Sequence, residues 1–74
     1  MPQEKYKEAI IFGKLIRKLR DARGLTQEQL AHTANLHRGY ISTLELGYRN
    51  ITLVIIVKIA KALGVEPKDL LEGQ

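Results

Sequence analysis

Residues 25–47, LTQEQLAHTANLHRGYISTLELG, constrain the fold more than any other stretch of the chain. They read as two short amphipathic helices joined by a turn too short for anything but a fixed helix-turn-helix, about residues 26–46. Thr26 can cap the first helix, and Gln29 three residues on completes a capping box. Leu25 and Leu30 are spaced for a hydrophobic staple across that cap. Leu30, Ala31 and Ala34 form an inward face, and Asn35 is a residue type able to turn left-handed after a helix. Leu36, Ile41 and Leu44 give the second helix its buried stripe, with Gly47 as its stop. Facing outward are His37, Arg38, Gly39, Tyr40, Ser42 and Thr43. A row of exposed hydrogen-bonding side chains on a rigid helix pair is what reading the major groove of double-stranded DNA requires. Sequence-specific DNA binding is therefore the leading expectation.

The global numbers agree without deciding. Seventy-four residues make one domain near the lower size at which a core holds without staples. There is no cysteine, which excludes disulfides and thiolate metal sites. The two histidines, His32 and His37, suggest no metal site, and no cofactor is expected. The net charge of +4 and pI near 9.6 favour an anionic partner, although many small proteins are as basic. Met1 to Glu8 is polar and unlike a signal peptide, and the longest apolar run, Leu53 to Val57, is too short to span a membrane. Cytoplasmic residence is expected. No grouping of nucleophile, base and oxyanion donor is visible, nor a phosphate-loop motif, so an enzyme is not expected.

The periodicity predicts an all-α, five-helix domain over residues 1–74 with no strand, repeat or linker. The first helix runs from about Lys7 to Arg23 with Ile10, Phe12, Ile16 and Leu19 at helical spacing, and Gly24 ends it. Met1 to Tyr6 is its frayed start or a short arm. Tyr48 to Ile51 is a loop, and Thr52 caps the fourth helix, whose expected core stripe is Leu53, Ile56, Ile59, Ala60 and Leu63. Gly64 closes that helix with Val65 as its hydrophobic contact, and Pro67 opens a short last helix through Leu71.

The segments LIRKLRDARGLTQEQLA, ANLHRGYISTLELG and ITLVIIVKIAKALGVEPKDLL, in this order, resemble the lambda-repressor-like (Cro/CI-type) helix-turn-helix family over roughly residues 10–71. Within it, HRGYISTLELGYRNIT is most similar to the controller proteins of restriction–modification systems, through Arg38, Tyr40, Arg49 and Asn50. The resemblance implies a transcription regulator and assigns roles to residues. Gln27 matches a glutamine that touches phosphate and steadies the recognition helix; the bland alternative is a solvated first-turn residue. Arg38 sits at a base-reading position, where a guanidinium can bond guanine O6 and N7 together, or else at a phosphate. Tyr40 either contacts sugar, thymine methyl or phosphate, or packs its ring against the second helix. Ser42 and Thr43 are short donors, Thr43 being better placed for a base. His37 stands where Ser, Thr or Asp usually caps, which weakens the cap and offers a phosphate contact instead. Arg49 and Asn50 fall where the family's loop follows the DNA backbone, so phosphate clamping is implied, with ordinary turn chemistry as the alternative. Arg20 and Glu45 match a structural ion pair rather than a DNA contact.

Three departures stand out. Leu46 replaces a polar or basic residue, Gly39 lies inside the recognition helix, and LVIIVKIAKAL is more apolar than one buried face needs. The surplus apolar surface, with Ile51, Val54, Ile55, Leu70 and Leu71 as candidates, points to a subunit interface, with capping of the core from the last helix as the alternative for Leu70 and Leu71 that fits at least one of them better. A homodimer also follows from specificity, since one recognition helix reads too few base pairs, and two would read a palindromic operator. Activation would need a contact with RNA polymerase, whereas repression needs only occlusion. A phage-type repressor, or an antitoxin-like protein-interaction module of the same fold, is the alternative. Arg38→Ala is expected to cost about 1–3 kcal/mol and to relax preference at one base position. Equal loss on cognate and scrambled duplex, in a competition assay, would count against base reading.

Overall fold

The computed structural model describes residues 7–72. Five helices follow one another: α1 Lys7–Ala22, α2 Gln27–Ala34, α3 Arg38–Glu45, α4 Leu53–Leu63 and α5 Pro67–Glu72. Among the described residues there is no strand, and no helix is long and apolar enough to cross a membrane. The first six residues, whose fate the sequence left open, lie outside the described range.

Local chemistry sets the helix ends. Thr26 Oγ1 accepts from the Gln29 amide at 3.0 Å and the Thr26 amide donates to Gln29 Oε1 at 2.9 Å, the reciprocal capping box. Asn35 ends α2 in the left-handed region at φ 58, and its amide and that of Leu36 donate back to His32 and Ala31. Thr52 caps α4 through the Ile55 amide, and Gly64 and Val65 close that helix onto Lys61 and Ala60. His37 occupies the N-cap of α3 with no side-chain capping bond. That helix therefore starts without the extra stabilisation, about 1 kcal/mol, that a Ser or Asp would give.

All five helices contribute to one core: Phe12 and Ile16, Leu30, Ala31 and Ala34, Ile41 and Leu44, Ile56, Ile59, Ala60 and Leu63, and Leu70. Three expectations are corrected. Leu53 is 72% exposed and lies outside the α4 stripe. Leu70 is wholly buried, so it is a core residue and unavailable to a subunit interface. Leu36 is half-buried in the turn, ahead of α3 rather than within it. The cause is the same for the first two: a run of apolar residues in one helix, or two leucines in a six-residue helix, carries no phase until a partner surface selects it.

Two glycines explain how closely α1 meets α3. A Cβ at Gly13 would overlap the Leu44 carbonyl oxygen and lie 2.7 Å from that of Glu45. At Gly47, φ is +87 and a Cβ would stand 2.8 Å from the Ile10 side chain. Inside α1 a glycine weakens the helix, and the return is backbone contact with the end of α3. Gly13→Ala is expected to destabilise the fold by about 1–3 kcal/mol through overpacking. Gly39→Ala, where nothing lies within 4 Å of the added methyl, should stabilise it by up to about 1 kcal/mol. Urea denaturation followed by far-ultraviolet circular dichroism gives both signs.

Candidate nucleic-acid interface

The outward face of α3 depends on how its other end is held. Arg20 lies in the last turn of α1 and Glu45 is the last residue of α3, and both side chains are nearly inaccessible to solvent. Arg20 Nε donates to Glu45 Oε2 at 2.7 Å and Nη2 to Oε1 at 3.0 Å, a fork-on-fork arrangement. Its remaining Nη1 donates to the Leu25 carbonyl at 2.8 Å and stands 3.2 Å from Asp21. The hydrogen bond to Glu45 raises the guanidinium pKa above its ordinary value despite opposing burial. The Arg20 guanidinium is thus charged at any working pH. Arg20's own contribution is present below the ordinary arginine value and is lost as pH rises through the still higher folded value.

Gln27, the first residue of α2, completes this network: its Nε2 donates to Glu45 Oε1 at 2.9 Å. One carboxylate thereby ties the end of α3 to α1 and to the start of α2. Gln27 is half-buried, and together with Arg20, Thr26, Glu28 and Arg38 it lines a shallow cleft beside the α2 N-terminus. The structure therefore brings Gln27 and Arg38 onto one surface. Arg38 opens α3 and is exposed, as are His37 and Gly39. The open space over Gly39 leaves α3 backbone bare on that side.

The next turn of α3 is less free. Tyr40 is half-buried and packs against the core, and the Arg49 guanidinium lies 4.8 Å from its ring centroid. Burial raises the Tyr40 phenol pKa, and the Arg49 charge partly offsets this. Thr43 is half-buried; its hydroxyl faces the Gly39 and Tyr40 carbonyls at 3.1 and 3.0 Å and accepts from Arg49 Nε at 2.8 Å. Ser42 is half-buried and Asn50 is exposed in the loop. Arg49 therefore folds back over α3, a contact that the sequence did not suggest because it depends on the turn at Gly47.

A second surface lies on α4. Leu53, Val54 and Val57 are 72, 64 and 45% exposed, and Leu71 of α5 is 52% exposed. Of the interface candidates, Val54 and Leu71 stand free, while Ile51 and Ile55 are partly buried against the core. Leu53 and Val57 were missed. The i, i+1, i+4 spacing of Leu53, Val54 and Val57 places all three on one flank once the core stripe is known.

The chain matches the helix-turn-helix family model over residues 16–70 and belongs to that family of DNA-binding transcription regulators. Among its relatives, the control protein C.BamHI of Bacillus amyloliquefaciens is 50% identical over 64 residues, covering 85% of this chain and 79% of its own. The control protein C.SmaI of Serratia marcescens is 41% identical over 64 residues, covering 86% and 76%. The crystal structure of the restriction–modification controller protein C.AhdI of Aeromonas hydrophila superposes with a TM-score of 0.85 at 46% identity, covering 88% of this chain and 98% of that one.

Removing one partner of the buried pair leaves the other charge stranded. Glu45→Ala is expected to cost about 3–5 kcal/mol, a large fraction of the stability of a small domain. Gln27→Ala should cost only about 1 kcal/mol, the value of a single hydrogen bond. Thermal and urea denaturation of the two variants tests that order.

Proposed function

We propose that this chain is the controller protein of a restriction–modification system, a homodimer that sets two copies of α3 into successive major grooves of a palindromic operator. The observation that carries this reading is the 50% identity to control protein C.BamHI along most of both chains. The surface chemistry supports it. Arg38 projects from the exposed start of α3 and can read guanine by its O6 and N7. Gly39 lets backbone approach the groove, and His37 and Ser42 flank it. Gln27, at the α2 N-terminus where amides and dipole favour an anion, and Asn50 in the loop meet phosphates and set register.

Dimerisation rests on the exposed flank of α4. Leu53, Val54 and Val57 on one flank of α4, and Leu71 on α5, are large apolar side chains left exposed, the kind of surface that a second subunit would cover. Ile51 and Ile55 border it. A two-fold axis through this face would present half-sites about one turn, ~34 Å, apart. The bound dimer represses by occluding a promoter, and it activates where a further surface contacts RNA polymerase.

The test is fluorescence anisotropy with duplexes that the wild-type protein selects from a randomised pool, competed by scrambled duplex at moderate salt. Selection of a palindrome that resists competition is expected; no selected sequence would refute the reading. Val54→Glu should give a monomer by sedimentation equilibrium with helicity retained and operator affinity reduced at least tenfold. It is a cleaner probe than Ile55→Glu, because Ile55 also packs on the core. An unchanged dimer mass would place the interface elsewhere.

A further inference from the structure

We infer that Arg49 is a positioning residue for DNA reading: it braces Thr43 and Tyr40 and so determines which base-edge chemistry the middle of α3 can offer. The inference builds on α3 being the helix that reads DNA, as proposed above. Its ground is a three-residue contact that neither the sequence pattern nor the usual view of a loop arginine anticipates.

The brace follows from the chain path. α3 ends at Glu45, and the positive φ of Gly47 turns the chain back so that the Tyr48 amide donates to the Thr43 carbonyl at 3.0 Å. The next residue, Arg49, is thereby delivered onto the outer surface of the helix it has just left. Its Nε donates to Thr43 Oγ1 at 2.8 Å while its guanidinium carbon lies over the Tyr40 ring, 4.8 Å from the centroid. Tyr40 and Thr43 are three residues apart and neighbours on one helix face, so one guanidinium can touch both. A lysine offers one compact ammonium in place of a separate Nε donor and guanidinium head, so it cannot hold both contacts in this arrangement.

The chemical consequence is largest for Thr43. A hydroxyl has one proton and two acceptor lone pairs. The proton is directed to the Gly39 and Tyr40 carbonyls, and one lone pair is taken by Arg49. What remains is one acceptor site and the γ-methyl group. The helix carbonyls already hold the proton, so Thr43 does not donate to guanine; the part Arg49 sets is the acceptor side, leaving one oriented lone pair for the amino group of cytosine or adenine beside a methyl that can touch thymine. Tyr40 loses rotational freedom in the same contact, since its ring is packed on the core and capped by Arg49. Both side chains meet DNA already ordered, which removes an entropic cost of binding.

A phosphate-only role predicts something different. A free loop arginine acts through its charge, so lysine would replace it and alanine would weaken every sequence by the same factor. The brace predicts that Arg49→Lys and Arg49→Ala alike change base preference. The experiment measures the affinity of wild type, R49A, R49K, T43V and R49A/T43V for the selected operator and its single base-pair substitutions. The expected result is a loss of about tenfold in discrimination at the same positions for R49A, R49K and T43V, with the double variant no worse than R49A. A wild-type preference profile in R49K, or losses in R49A and T43V that multiply, would overturn the inference. The free protein gives a separate readout. The Arg49 Nε–H resonance should be displaced by the Tyr40 ring current in the wild type and return toward a free arginine value in T43V. Should wild type select no duplex at all, the DNA-reading assignment fails, and the brace is judged by that resonance alone; no change in it on Thr43→Val refutes the brace.

Discussion

The Arg20–Glu45 pair is the interaction on which the placement of α3 depends. Helices of eight residues, the length of both α2 and α3, do not persist alone in water. Their helicity is borrowed from packing, and their orientation must be fixed by tertiary contacts. Leu44 and Ile41 anchor α3 to the core, but apolar packing tolerates sliding and rotation more readily than a forked ion pair does. With Nε and Nη2 on Glu45 and Nη1 on the Leu25 carbonyl, Arg20 fixes the end of α3 in both respects. A pair buried in this manner is not evidence of great stability, since an apolar replacement can serve as well. Here its effect is geometric: the C-terminal end of α3 is pinned inward, and the N-terminal end, with Arg38 and Gly39, is left standing outward.

The glycine at position 13 is the backbone counterpart of this pair. Gly13, Ile16 and Arg20 share one stripe of α1, and Gly13 and Arg20 are two turns apart, about 10.5 Å along the axis. Close approach at Gly13 brings the Leu44 and Glu45 carbonyls onto α1, and Arg20 meets the carboxylate from the same side. A larger residue at 13 would lift the end of α3 away from α1 and so strain the pair as well. Read as sequence, Gly13 is a helix-weakening interruption; its use appears only when another chain segment lies against it.

What the sequence made legible was local. Thr26 with Gln29, Asn35, Thr52 and Gly64 define helix ends by chemistry acting over three or four residues, and each acts in the structure as its type suggests. The face of α2 was readable for the same reason: its apolar and polar residues separate cleanly at helical spacing. The α4 face was readable through Ile56, Ile59, Ala60 and Leu63, with Val54 left outside; it failed at Leu53, because LVIIV offers five apolar residues in succession and the surrounding helices decide where the stripe begins. Between Leu70 and Leu71 the choice likewise came from outside the helix. The partnership of residues 20 and 45 has no local signature at all, and it was suggested by family resemblance rather than by spacing. Arg49 shows the same limit from the other side, since its contact with Thr43 requires the chain reversal at Gly47.

Residues 46–54 run without interruption from the end of α3, through the Arg49 brace and exposed Asn50, to Leu53 and Val54 on the exposed flank of α4. The start of this loop is held by hydrogen bonds from Tyr48 and Arg49 to Thr43, and its end by Thr52 at the α4 cap. If Leu53 and Val54 are covered by a second subunit, the far end of the loop becomes ordered in the same event that pairs the two recognition helices. The residues proposed to read DNA and those proposed to join subunits are then coupled through fewer than ten residues of backbone. Such a coupling needs no wide conformational change. It requires only that the short segment be more constrained at both ends in the dimer than in the monomer, so that assembly and preorganisation of the reading surface favour each other.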